Sequence, residues 1–172
     1  MVKNIFKLIG IFIITCITFI NIYNYYNNKK DNIVLENIIQ SIDNKVGYNY
    51  IKYKGIIEIP SINLKKGFYN IGDIENNVDL NVEVLYNTLP NGILALASHS
   101  GNGNNAYFKY LYKVKLNDIV YIYYNDIKYK YKVIKIYEEL RDGNIDISYS
   151  DKLLLLTTCK GNNQLIVIAK ML

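Results

Sequence analysis

Asp118-Ile-Val-Tyr-Ile-Tyr-Tyr-Asn-Asp-Ile-Lys-Tyr-Lys-Tyr-Lys-Val-Ile-Lys-Ile-Tyr137 is the stretch that decides the fold class. Branched and aromatic side chains dominate it, and these fit a pleated, half-buried surface. At its middle stand Asn125 and Asp126, both turn-forming residues. The stretch therefore predicts two strands, Asp118 to Tyr124 and Lys128 to Tyr137, joined as a hairpin.

The same texture extends to both sides. Gly55-Ile-Ile-Glu-Ile-Pro60 alternates and stops at proline, as a first or edge strand does. Leu80 to Leu85 reads as a short strand or turn. Gly92-Ile-Leu-Ala-Leu-Ala-Ser98 and Leu153 to Thr158 are continuous apolar runs, the pattern of buried strands. Ala106 to Leu111 reads as a helical turn, and Gln164 to Leu172 as a last strand. Seven or eight short strands within about 120 residues predict an all-β domain, a closed or nearly closed barrel spanning residues 51–172. Composition agrees. Of 172 residues 51% are apolar and 18 are tyrosine, too apolar for a disordered chain.

The N-terminal part differs. Residues 5–23 are nearly all apolar. As a helix rising about 1.5 Å per residue they reach about 30 Å, the depth of a hydrocarbon core. Lys3 and Lys7 mark the N-terminal end, so the positive-inside rule puts residues 1–4 in the cytoplasm and the barrel outside the cell. A small-residue cleavage site is missing after the run, which favours a retained single-pass anchor in the cell membrane over a cleaved signal peptide. Residues 24–50 read as a stalk. Within it Val34, Leu35, Ile38, Ile39 and Ile42 recur at the spacing of a short amphipathic helix.

The net charge is +5, nearly all from lysines scattered along strand-like segments, and Arg141 is the only arginine. Nucleic-acid binders cluster their basic residues on one element, so no nucleic-acid partner is expected. One histidine and one cysteine outside the apolar run cannot fill a zinc shell. No spacing of acidic residues suits an EF-hand, and no glycine pattern suits a nucleotide. No metal and no cofactor is expected.

Two residues carry chemistry. His99, the chain's only histidine, follows the buried run ending at Ala97 and precedes Ser100-Gly-Asn-Gly-Asn-Asn105. Cys159 stands in the same relation to Leu153 to Thr158 and precedes Lys160-Gly-Asn-Asn163. The other cysteine, Cys16, lies within the apolar run, so a disulfide between the two is geometrically implausible and Cys159 should be a free thiol. A thiolate is a nucleophile, and an imidazole beside it can hold the proton. A lone buried Cys is more often packing, and a lone His more often structural, but both here end an apolar strand beside a polar loop.

These residues are similar to the motifs of the sortase family. Leu155-Leu-Thr-Thr-Cys159 resembles Thr-Leu-x-Thr-Cys, with Leu155 where threonine is usual. Ala97-Ser-His-Ser-Gly101 and the following Tyr107-Phe-Lys-Tyr-Leu111 resemble the sortase histidine strand and its short helix. The resemblance implies a closed eight-stranded β-barrel behind a membrane anchor. It implies that Cys159 attacks a threonyl carbonyl in a Leu-Pro-x-Thr-Gly-like sorting signal of a surface protein. His99 then protonates the leaving amine, and an amine acceptor from peptidoglycan or a pilin resolves the thioester. Thr158, Ser98 and Arg141 would contact substrate. Where sortases carry an arginine after the cysteine this chain has Gln164. An amide can donate a hydrogen bond to the developing oxyanion but brings no charge. The alternatives are a catalytically weak or inactive tethered barrel that binds wall or surface-protein peptides, and a peptidoglycan cross-linker. The latter would need a His-Gly-Cys-like block, which this chain lacks.

Overall fold

The computed structural model describes residues 2–43, 53–141 and 152–172. The part of the expected stalk at residues 44–50 lies outside the described residues, as do the side chains of Lys3 and Lys7. The chain divides into Met1–Asn37 and Ile38–Leu172.

One helix, α1 (Val2–Asp43), runs through both the expected anchor and the positions assigned to a separate amphipathic helix. The intervening residues 24–33 contain neither proline nor glycine, so nothing in them breaks a helix. Within it Ile9–Gln40 is long and apolar enough to cross a membrane; many apolar side chains there, among them Phe12, Phe19 and Ile20, are exposed, whereas Leu35, Ile38 and Ile39 are buried.

The second unit is an eight-stranded sheet: β1 (Gly55–Ile59), β2 (Leu64–Phe68), β3 (Glu83–Asn87), β4 (Leu94–Ala97), β5 (Ile119–Tyr124), β6 (Ile127–Leu140), β7 (Leu153–Lys160) and β8 (Asn163–Met171). The strand order is β2-β1-β5-β6-β8-β7-β4-β3. Its two edges meet at one parallel bridge, Phe68↔Val82, so the barrel is nearly closed rather than fully closed. Among the described strands only β4 and β7 form a parallel ladder.

The hairpin forms where expected. Asn125 and Asp126 have φ of 49° and 59°, the two left-handed residues of a type I′ turn. Such a turn matches the right-handed twist of the strands it joins. Leu80 to Leu85 splits, its first part a turn and its second part the start of β3. Ala106 to Leu111 forms turns that lead into a 3-10 turn at Leu111–Lys113.

Ile57, Phe68, Val84, Leu94, Leu96, Ile122, Leu154, Leu156 and Val167 fill the barrel, each at most 3% exposed. Each such side chain contributes roughly 1.5–3 kcal/mol relative to exposure. Phe108, Leu111 and Val114 from the segment after His99 join the same core. Ile93, Ala95, Leu155, Ile166 and Ile168 form a second cluster on the other face of β4, β7 and β8. These strands are buried on both faces, which explains why their sequences are continuous apolar runs.

Candidate active site

The parallel β4–β7 ladder builds the site. Its pairs run from Leu94↔Leu154 to Ala97↔Thr157, each sixty residues apart. Beyond the last pair the two tips stay side by side. The Ser98 N–H donates to the Thr157 carbonyl at 3.4 Å. Thr158 Oγ1 donates to the Ser98 carbonyl at 2.6 Å, and Ser100 Oγ donates to the Cys159 carbonyl. His99 and Cys159 each stand two residues past the final pair. Both line one cleft of about 210 Å³.

Cys159 is half-buried and not in a disulfide, so the thiol is neither sealed in the core nor fully open to solvent. Its strand turns at Gly161, whose φ of 61° suits the first central position of a type II′ turn. Lys160 forms an ion pair with Glu138.

Across the sheet Cys159 faces Gln164, and Gln164 faces Glu139. Gln164 is 8% exposed and lines the cleft, and its Nε2 donates to Glu139 Oε1 at 3.1 Å. Arg141, the first residue past β6, lines the same cleft and is exposed. Its backbone N–H donates to the Asn162 carbonyl at 3.4 Å. Ser98 and Thr158 also line the cleft, but both hydroxyls are hydrogen-bonded to backbone carbonyls, Ser98 Oγ to Asn105 at 3.4 Å. The Thr158 hydroxyl joins the two tips, while the Ser98 hydroxyl ties its strand end to the loop that follows it.

The His99 ring is 37% exposed, and its Nε2 lies 2.8 Å from Asp79 Oδ1. A carboxylate oxygen only accepts, so in this contact Nε2 is the donor. Neither Asp79 nor Glu139 was legible as a site residue, because no spacing ties a loop carboxylate to a histidine twenty residues later. Ser100 was visible only as a member of the loop following His99.

A second cleft of about 230 Å³ shares Cys159 and Thr158 with the first and is lined by Ser100, Phe108, Lys109, Tyr112, Lys160 and Gly161. Cys159 thus stands between the two clefts. A thiol and an imidazole in one accessible cleft suit covalent acyl transfer.

Residues 57–172 match the Sortase domain family. The chain belongs to the sortase family. Solved structures resembling this sortase include sortase C-1 of Actinomyces oris, 23% identical over 69% of this chain and 73% of that one, with a TM-score of 0.60. Sortase C of Streptococcus pneumoniae is 24% identical over 72% of this chain and 68% of that one, with a TM-score of 0.61. A sortase D5 transpeptidase of Clostridium perfringens is 20% identical over 83% of this chain and 98% of that one, with a TM-score of 0.62. Likeness at these identities establishes the fold. No curated protein sequence is significantly similar to this sortase.

Proposed function

We propose that this sortase is a cysteine transpeptidase that cuts a Leu-Pro-x-Thr-Gly-like sorting signal and passes the acyl group to an amine of cell wall or pilin. Membership of the family supports transpeptidation in general. The observation that carries the reading for this chain is the parallel β4–β7 ladder, whose partners lie sixty residues apart and whose ends bring the His99 and Cys159 strand tips to one cleft. The Cys159 thiolate attacks the threonyl carbonyl, and the tetrahedral adduct collapses to a thioester as the peptide amine leaves with a proton from imidazolium. The acceptor amine then attacks the thioester, losing a proton to the imidazole and releasing the thiol. One difficult acyl transfer becomes two easier ones. Two clefts that share Cys159 suit a reaction with two substrates.

Gln164 is the proposed donor to the developing oxyanion, with Arg141 at the cleft as a substrate contact and a source of positive charge. The anchor holds the barrel outside the cell membrane, with the N-terminus inside, and the partners are a surface-protein signal peptide and a wall or pilin amine. The pilin part is consistent with the Streptococcus pneumoniae relative, whose structure was described in terms of pilin substrate specificity.

One observation favours the weaker alternative, a barrel that binds peptides with little turnover. The Gln164 amide already gives a hydrogen bond to Glu139. A fluorogenic sorting peptide separates the readings. Turnover that disappears in Cys159→Ala supports the enzyme, and Gln164→Ala should then lower kcat by about 10²-fold, the loss of one oxyanion donor. Binding of the peptide without turnover supports the alternative. Full activity in Gln164→Ala would remove Gln164 from the mechanism and leave Arg141→Ala as the variant to lose it.

A further inference from the structure

Before β3 the chain folds into a loop that bonds largely to itself. Asn76 caps the Val84 backbone from both sides, its Oδ1 accepting from the N–H at 2.7 Å and its Nδ2 donating to the carbonyl at 3.0 Å. Asn81 Nδ2 donates to the Glu75 carbonyl at 3.0 Å. Asn77 Oδ1 accepts from the Asp79 N–H at 2.9 Å, a turn that sets the direction of the Asp79 side chain.

The loop is then fastened to the segment following His99. Asn105 Nδ2 donates to the Asp79 carbonyl at 3.1 Å, and the Tyr107 hydroxyl donates to the Leu80 carbonyl at 3.1 Å. The His99 carbonyl accepts from the Phe108 N–H at 3.1 Å. The histidine and the carboxylate therefore sit on two segments joined by two further hydrogen bonds. Between them Asp79 Oδ1 accepts from His99 Nε2 at 2.8 Å.

We propose that Asp79 is a positioning residue for acyl transfer: its carboxylate holds His99 with hydrogen on Nε2, so that Nδ1 alone exchanges the proton. This rests on the acyl-transfer reading above. In the first half-reaction Nδ1 takes the proton of the Cys159 thiol and returns it to the leaving amine. In the second it takes a proton from the acceptor amine and returns it to sulfur. Nε2–H stays bonded to Asp79 throughout, and the carboxylate steadies the imidazolium formed between steps. A carboxylate behind a catalytic imidazole acts in this way by fixing tautomer and orientation, without becoming protonated itself. Asp79 is 74% exposed, so solvent screens the charge and the effect is modest.

The test uses the full chain in detergent micelles, produced without a histidine tag. His99 is the only histidine, so a long-range proton–nitrogen spectrum of the imidazole shows a single ring. In the wild type, at a pH where the ring is neutral, hydrogen resides on Nε2. In Asp79→Ala the two nitrogens move towards an averaged tautomer, and kcat for a sorting peptide falls about fivefold with KM unchanged, the upper range for an exposed pair. Asp79→Asn, whose amide oxygen still accepts from Nε2, restores kcat to within about twofold of wild type. An unchanged ring spectrum or an unchanged kcat in Asp79→Ala overturns the proposal. If wild type and Cys159→Ala are equally inactive, the acyl-transfer reading has failed instead, and the ring spectrum still reports whether Asp79 sets the tautomer.

Discussion

At the scale of single residues, the polar groups divide into those satisfied by the fold and those left over. The hydroxyls of Ser100 and Thr158 reach backbone carbonyls at the strand tips, and that of Ser98 reaches the Asn105 carbonyl in the following loop. Tyr131 is different. It is fully buried in the barrel, and its hydroxyl has no hydrogen-bond partner among the described residues. Burial, and secondarily the nearby Tyr129, pushes its phenol well above the ordinary tyrosine range. A raised value in the folded state means that its protonated form favours folding below the unfolded value of about 10, and that this contribution is lost as pH rises above it. An unsatisfied buried hydroxyl costs roughly 1–3 kcal/mol. Tyr131→Phe should therefore gain about 1 kcal/mol at pH 7. It should also lose less stability than wild type between pH 9 and 11, as read by denaturant unfolding of the two proteins side by side. A Phe variant that is less stable, or that declines as steeply, would show that the hydroxyl is satisfied in solution.

At the scale of elements, the β4–β7 pairing and the bonds beyond it carry the site. Thr158 Oγ1 to the Ser98 carbonyl is a buried bond of 2.6 Å that clasps one tip to the other. Thr158→Val keeps the shape and removes the donor, leaving a buried carbonyl short of a partner. The expected cost is about 1–2 kcal/mol in unfolding free energy. A loss of peptide turnover larger than that of a comparably destabilised core variant, such as Ile122→Val, would accompany it. Equal turnover in both would mean that the clasp serves stability alone.

Much of this was readable from the chain. Asn125-Asp126 announced its turn because few residues accept two successive positive φ values. His99 and Cys159 could be singled out because each ends an apolar run, but the ladder that unites those runs is parallel and long-range, which no local pattern encodes. β2 escaped notice for the same reason. Leu64-Lys-Lys-Gly-Phe68 has no clear alternation, and it is a strand because β1 pairs with it along its length. Its Gly67 lies under the Tyr53 ring, where an added Cβ would come within 2.1 Å of that ring. The split of α1 into anchor and separate helix came from reading polar residues 24–33 as a break, whereas asparagine, lysine and tyrosine continue a helix without difficulty. Asp79 depended on the fold of an entire loop and had no local signature.

At the scale of the whole molecule, an apolar helix and a nearly closed barrel are combined in one sortase chain. A barrel suits the proposed chemistry because its strands hold His99 and Cys159 on a rigid frame while loops shape the clefts. Among the described residues the barrel carries one histidine and one cysteine, so the entire proposal depends on their cooperation at one sulfur atom. Intact mass spectrometry of the full chain, quenched in acid during incubation with a sorting peptide, reads that directly. The predicted result is an adduct with the mass of the peptide's acyl fragment, located on Cys159, released by hydroxylamine and absent from Cys159→Ala. Peptide cleavage with no adduct, or an adduct that persists in Cys159→Ala, would contradict it.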